Sequence, residues 1–141
     1  MSTESKSLVE EANAAFYRAL ESRAIERMDE VWAHGDDVRC VHPGWDVVTG
    51  WQRVRESWER IFETGQRVKV SPSEVSVSTH GDFAWVTCTE SITVFQETDF
   101  DFAQAVATNL FVRREGRWLM VHHHSSAVPI LLSEGFSDEI Q

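Results

Sequence analysis

Cysteine is scarce in this chain. Cys40 and Cys88 are the only two, and they form neither a Cys-x-x-Cys pair nor a zinc-ligand spacing. No disulfide framework is therefore expected, and both read as small buried hydrophobes of a reduced protein. Positive charge is thin as well, with 13 Lys and Arg against 23 Asp and Glu and a net charge of -10. Without a basic stripe to meet phosphates, nucleic acid is not expected as a partner. No apolar run approaches the roughly 20 residues that cross a bilayer, so no membrane association is expected. The opening segment Met1–Lys6 is polar and lacks an apolar signal core, which makes a cytoplasmic location the expectation. Proline is rare, and tyrosine occurs once, as Tyr17.

Aromatic residues, by contrast, are plentiful: six Trp and eight Phe in 141 residues, with 42% of the chain hydrophobic. That is enough to pack one core, and residues 1–141 read as a single domain with its core over about 7–129. Leu8, Val9, Ala12, Phe16, Ala19 and Leu20 recur at helical spacing and predict a helix over about Ser7–Ser22. Ile25, Met28, Val31 and Trp32 predict a second, shorter helix. A third has Trp51, Val54, Trp58, Ile61 and Phe62 as its buried stripe and Thr49 as its cap. Between the last two, Val38–His42 predicts a short strand halted by Pro43-Gly44.

After Gly65 the apolar period changes to two. Val68, Val70, Val75 and Val77 alternate with polar residues, with Pro72 at a bulge or edge. A turn at Thr79–Asp82 leads into a long strand, Phe83–Phe95. A further hairpin pairs Ala103–Arg113 with Arg117–Ser125. The tail 130–141 is acidic at its end, and it packs through Ile130, Leu131 and Leu132 or frays. Helices followed by long antiparallel strands make an α+β domain, with helices covering one sheet face.

The last strand carries the most chemistry, reading Gly116–Ser126 as GRWLMVHHHSS. Strict alternation would place His122 and His124 on one face with Trp118 and Met120, and Leu119, Val121 and His123 on the other. Glu90 is the one ionisable group on the stripe Ala84, Val86, Cys88, Glu90, Ile92. A carboxylate there must be paired, protonated or solvated by a pocket. A metal bridging His122 and His124 is not expected, because they would lie about 7 Å apart along the strand and no short-spaced ligand pair accompanies them. No cofactor is expected either.

This order of elements, with Ala107–Trp118 and Val121–Ser125 as a terminal hairpin, resembles the nuclear transport factor 2-like superfamily over roughly Leu8–Pro129. It is most similar to the SnoaL-like branch and to the association domain of calcium/calmodulin-dependent protein kinase II. The resemblance implies a cystatin-like cone, a curved antiparallel or mixed sheet wrapped around three N-terminal helices, whose open end is a pocket for a small organic ligand. A more remote similarity to ketosteroid isomerase aligns Tyr17 with an oxyanion-binding tyrosine, His42 with the general base and Asn109 with an oxyanion-binding acid. On that resemblance His42 would take a proton beside a carbonyl while Tyr17 and Asn109 hold the enolate oxygen. Glu90, His122 and His124 would line the pocket with Trp45, Trp58 and Trp118.

Each residue also has a structural alternative. Tyr17 can be a core-edge residue with a bonded hydroxyl, and His42 can fix the turn before Pro43. Asn109 can satisfy backbone, and Glu90 can pair with His122 or His124. The non-enzymatic reading is an assembly domain. Thr108, Leu110, Val112, Leu119 and Val121 would share the outer sheet face and form a homodimer through it.

Overall fold

The computed structural model describes residues 2–129, so the expected packing of Ile130, Leu131 and Leu132 lies outside the described residues. Three helices, α1 (Ser2–Ser22), α2 (Ile25–Val31) and α3 (Trp51–Glu63), pack on one face of a six-stranded sheet. The strands are β1 (Arg39–Val41), β2 (Val48–Thr49), β3 (Arg67–His80), β4 (Phe83–Phe95), β5 (Phe100–Arg114) and β6 (Arg117–Val128). Their spatial order is β2-β1-β6-β5-β4-β3. All neighbours are antiparallel except β1 and β6, which run parallel and make the sheet mixed.

α1 begins several residues earlier than its apolar stripe, of which Val9, Phe16 and Ala19 are buried together with Asn13 and Tyr17, whereas Leu8 lies exposed. Thr49 does not cap α3. It pairs with Arg39 as part of β2, and Gly50 takes the N-cap position at φ 92° without a side-chain cap. A positive φ there lets the chain leave the sheet and enter the helix at once, which suits glycine. Trp51 is half-buried at the edge of the core, its ring 6.0 Å from Trp32, and it also stacks on His34 at 4.7 Å.

The long strands join through tight turns. Glu115 and Gly116 both have positive φ between Arg114 and Arg117, the backbone of a two-residue hairpin turn. Two bulges bend the sheet. The first lies in β3 between Ser73 and Ser76, where Glu74 has φ 51°, and it turns Val75 out to 40% exposure against the expected alternation.

The second bulge decides the site. Leu110 pairs with His122 but Phe111 pairs with Met120, so Val121 is an extra residue in β6. One inserted residue reverses every later side chain. Trp118 and Met120 are buried on the inner face, and past the bulge His123 and Ser125 take that face. His124 is exposed and His122 only half-buried, with their rings 6.2 Å apart on the outer side. The expected inward placement of His122 and His124 is thereby corrected. Phe16 is fully buried where helices meet sheet, with Tyr17, Trp32, Trp58 and His123 all within 6.3 Å of its ring centre.

Candidate functional site

A cavity of about 260 Å³ lies between α1, α3 and the inner sheet face. Leu20, Ile61, Val68, Val70 and Ile92 give it aliphatic walls, and Trp45, Trp58 and Pro43 close one side. Four polar side chains line it: His42, Glu90, His123 and Ser125. His42, Glu90, Trp45 and Trp58 are thus brought together as expected, while His123 and Ser125 take the places foreseen for His122 and His124. Trp118 shares the inner face but not the cavity. It lies under the Arg113 guanidinium, 5.2 Å from its ring centre.

The loop after β1 places His42 and Trp45. Trp45 N donates to His42 O at 2.9 Å, closing a turn through Pro43 and Gly44 in which Gly44 has φ 83°. Proline at the second position and a positive-φ glycine at the third fit a tight turn of this kind. It sets the Trp45 ring edge-on to His42 at 4.7 Å, while Trp58 meets the imidazole from α3 at 4.5 Å. Ser57 Oγ donates to Val54 O at 2.6 Å, so its contact with His42 Nε2 at 2.8 Å is donated by the imidazole. Burial lowers the His42 pKa to about 4, because a charged ring would lose its hydration there.

Behind the cavity wall runs a continuous hydrogen-bonded network. Tyr17 donates to Glu90 Oε2 and Ser125 donates to Glu90 Oε1, both at 2.6 Å. Asn109 Nδ2 donates to Asn13 Oδ1 at 2.8 Å and to the Tyr17 oxygen at 3.2 Å. With its amide hydrogens so used, Asn109 Oδ1 is the acceptor for His123 Nδ1 at 2.6 Å. The neutral imidazole therefore carries its proton on Nδ1 and keeps a lone pair on Nε2. Burial, then the nearby His42, His122 and His124, lower the His123 pKa to about 3. Burial first, and Glu90 second, raise the Tyr17 pKa above its ordinary value.

Tyr17 and Asn109 thus meet Glu90 in one cluster, as the sequence reading required. Their donors are nonetheless committed: the Tyr17 hydroxyl to Glu90, both Asn109 amide hydrogens to Asn13 and Tyr17. Neither has a free hydrogen to offer an enolate oxygen. Asn13, Ser57, His123 and Ser125 were not foreseen. Asn13 and Ser57 carry a readable signal, being small polar residues on apolar helix stripes, whereas His123 and Ser125 depend on a bulge that no alternation pattern marks. Cys40 and Cys88 are free and buried, with burial raising both thiol pKa values. Among the described residues no cluster of His, Cys, Asp and Glu has the arrangement of a metal site, and no helix is long and apolar enough to cross a membrane.

Comparison with known proteins places this geometry in context. A model of the SnoaL-like domain matches residues 9–131. A candidate dehydratase of the nuclear transport factor 2-like family from Streptomyces avermitilis is 33% identical. It superposes with a TM-score of 0.84 over 92% of this chain and 100% of its own. A candidate association domain of calcium/calmodulin-dependent protein kinase type II from Thiobacillus denitrificans is 32% identical, with a TM-score of 0.73 over 85% of this chain and 94% of its own. The F-box protein SKIP8 of Arabidopsis thaliana is 32% identical over 118 residues, which are 84% of this chain but 48% of that protein. The chain thus spans about half the length of that curated relative.

Proposed function

The chain belongs to the SnoaL-like domain family, and from that premise we propose that it binds a small, partly apolar organic molecule and removes a proton beside a carbonyl. The observation that carries this reading is the cavity itself. Two imidazoles kept neutral by burial and one carboxylate converge in an otherwise apolar, aromatic enclosure. Each imidazole is unprotonated at neutral pH; burial also weakens it as a base, so its rate advantage comes from being held beside the substrate in a dry site. Its volume falls just under the range typical of drug-sized ligands, which favours a molecule of one or two rings over a larger polycyclic one.

In this reading His123 Nε2 accepts the proton, with His42 lining the same cavity as the second candidate base. Tyr17 and Asn109 act through Glu90 and His123 as positioning residues. The electron pair of the broken C–H bond forms a double bond to the carbonyl carbon and the carbonyl π pair moves onto oxygen; when the enolate reverts, His123 returns the proton to a different carbon for isomerisation. With a β-hydroxyl present, the enolate instead collapses to a double bond between the α and β carbons, the β C–O bond breaks, and the hydroxide leaves with the His123 proton as water. The second route starts from the same step and agrees with the candidate-dehydratase description of the Streptomyces neighbour.

The test is a panel of monocyclic ketones and β-hydroxy ketones, followed by proton exchange in deuterated buffer. His123→Gln should lower any exchange rate by about 10²-fold or more. Exchange that persists unchanged in both His123→Gln and His42→Gln would defeat the catalytic assignment and leave binding alone.

A second reading, a homodimer through the sheet, rests on a separate observation. The outer face carries Val106 at 47% exposure, with Thr108, Leu110, Val112 and Leu119 half-buried around it. Leucine and valine set among Thr87, Thr89, Thr108 and the two outer histidines on one sheet face suit a self-complementary interface. Light scattering at micromolar concentration should give twice the chain mass, and a monomer would end this reading.

A further inference from the structure

Resting on the small-molecule reading above, the donor and acceptor inventory of the cavity narrows the ligand. The side-chain hydroxyl hydrogens at or behind the cavity wall, and the amide hydrogens of Asn109, already have internal acceptors. Ser125 and Tyr17 donate to Glu90, Asn109 to Asn13 and Tyr17, and Ser57 to a carbonyl. His123 gives its hydrogen to Asn109, and His42 gives its own to Ser57. What remains unspent is almost all acceptor: His123 Nε2, His42 Nδ1 apart from a long contact to the Cys40 thiol, and the further lone pairs of Glu90. Among the side chains that line the cavity, the remaining donors are the indole N–H groups of Trp45 and Trp58, and Trp58 Nε1 is buried without a partner.

We infer that the cavity selects a neutral ligand that carries a hydrogen-bond donor, an alcohol, enol or phenol hydroxyl directed at Glu90, and so prefers β-hydroxy ketones to plain ketones among the substrates proposed above. An aprotic ether or ester would leave those buried acceptors unmatched, and an unmet polar group in a dry site is costly.

Anions are disfavoured on two counts. Glu90 has no cationic partner among the described residues, and no lysine or arginine lines the cavity. Arg53 and Arg60 line a depression beyond Trp45, and Arg23 lines an adjoining one of about 250 Å³ that shares Leu20, Ile61 and Val68. The Arg23 guanidinium is engaged by the Phe62 carbonyl at 2.7 Å. Cations are disfavoured differently. Burial holds both histidines uncharged despite the carboxylate in the same cavity, and the same desolvation opposes an incoming ammonium.

The experiment uses four single-ring probes that differ in one group: phenol, anisole, benzoate and benzylammonium. Each is titrated into the full chain at pH 7 and followed through the Trp58 indole N–H resonance in a proton–nitrogen NMR spectrum. Phenol should bind about ten-fold or more tightly than anisole, with benzoate and benzylammonium weaker than phenol. Ser125→Ala frees one Glu90 oxygen and should widen the preference for phenol over anisole. Glu90→Gln, which adds a donor, should narrow it, provided its near-ultraviolet circular dichroism matches the parent; Ser125→Ala keeps the test alive if Glu90→Gln does not fold. Equal binding of phenol and anisole, or tightest binding of benzoate or benzylammonium, would overturn the donor rule while leaving a small-molecule site in place. If no probe shifts the indole resonances of Trp58 or Trp45, the cavity is not a small-molecule site and both readings fall together.

Discussion

His123 Nδ1 lies 2.6 Å from Asn109 Oδ1, and that single contact settles which nitrogen of the imidazole stays free. Asn109 is itself oriented by Asn13 and Tyr17, which take its amide hydrogens. The tautomer of a residue on β6 is therefore fixed by two side chains of α1, acting through β5. Nitrogen NMR should find His123 as the Nδ1–H tautomer in the parent chain, and an Nε2–H tautomer would contradict the network. Asn109→Leu strands the His123 N–H, the Tyr17 oxygen and the Asn13 carbonyl. At about 1–3 kcal/mol for each buried unmatched group, urea unfolding should show a loss of about 3 kcal/mol or more.

Acid should unfold this protein through its buried histidines. His42 and His123 have folded pKa values lowered to about 4 and about 3, against about 6.5 for an unfolded histidine. Below pH 6.5 the unfolded chain binds protons that the folded chain refuses. Their contribution is therefore complete above that pH and is lost as pH falls toward the folded values. Each histidine should cost about 1.4 kcal/mol per pH unit across that window. Urea midpoints measured at pH 7, 6 and 5 should fall steadily, and replacing either histidine with Gln should flatten the slope. A midpoint independent of pH over that range would refute the account.

Tyr17→Phe separates a positioning role from an oxyanion role. The hydroxyl is spent on Glu90 at 2.6 Å and receives Asn109 at 3.2 Å. Its removal should cost about 1–3 kcal/mol of stability, because a buried carboxylate oxygen and an amide hydrogen lose their partner. Affinity for a neutral ketone should barely change, since no donor to the ligand is removed. A variant of parental stability with sharply weakened ketone binding would restore the oxyanion assignment.

Phe16→Ala tests the aromatic floor of the site. The ring is fully buried and lies 4.8 Å from His123 and 5.7 Å from Trp58, centre to centre. Thermal and urea unfolding should report a loss of about 3–5 kcal/mol. His123 should also lose its single ring orientation, seen as broadening of its resonances. A loss below about 1 kcal/mol would mean that the surrounding rings collapse into the gap.

The fold was legible from the sequence because periodicity survives wherever an element is regular. Glu90 fell on the inner face of β4 as its apolar neighbours required, and Phe16, Tyr17 and Trp58 fell on inward helix stripes. The site was legible only in part, and the reason is one residue. Val121 is apolar and so fits either face, and nothing in Met120-Val121-His122 marks the register shift opposite Leu110 and Phe111. A period-two reading carried through the bulge exchanges His123 with its two neighbours. Thr49 shows the same limit from another side: a good capping residue was taken into a two-residue strand by pairing with Arg39, and tertiary hydrogen bonding overrode a local preference.

The same bulge shapes the surface on which the dimer proposal stands. By turning His122 and His124 outward beside Leu110 and Thr108, it adds two imidazoles to a sheet face that mixes leucine and valine with threonine. Leu110 lies in a row from Trp85 on β4 to His122 on β6 and Arg39 on β1. A lysine there would place an unpaired charge at the centre of the proposed contact, where burial without a partner is costly. Leu110→Lys should therefore convert the dimer to monomer in light scattering, with the fold intact by circular dichroism because the side chain points away from the core. Replacing Glu97 with Lys, in the β4–β5 turn away from that row, is the control and should leave the mass unchanged. If Leu110→Lys remains dimeric, the sheet face is not the interface, whatever the oligomeric state of the parent.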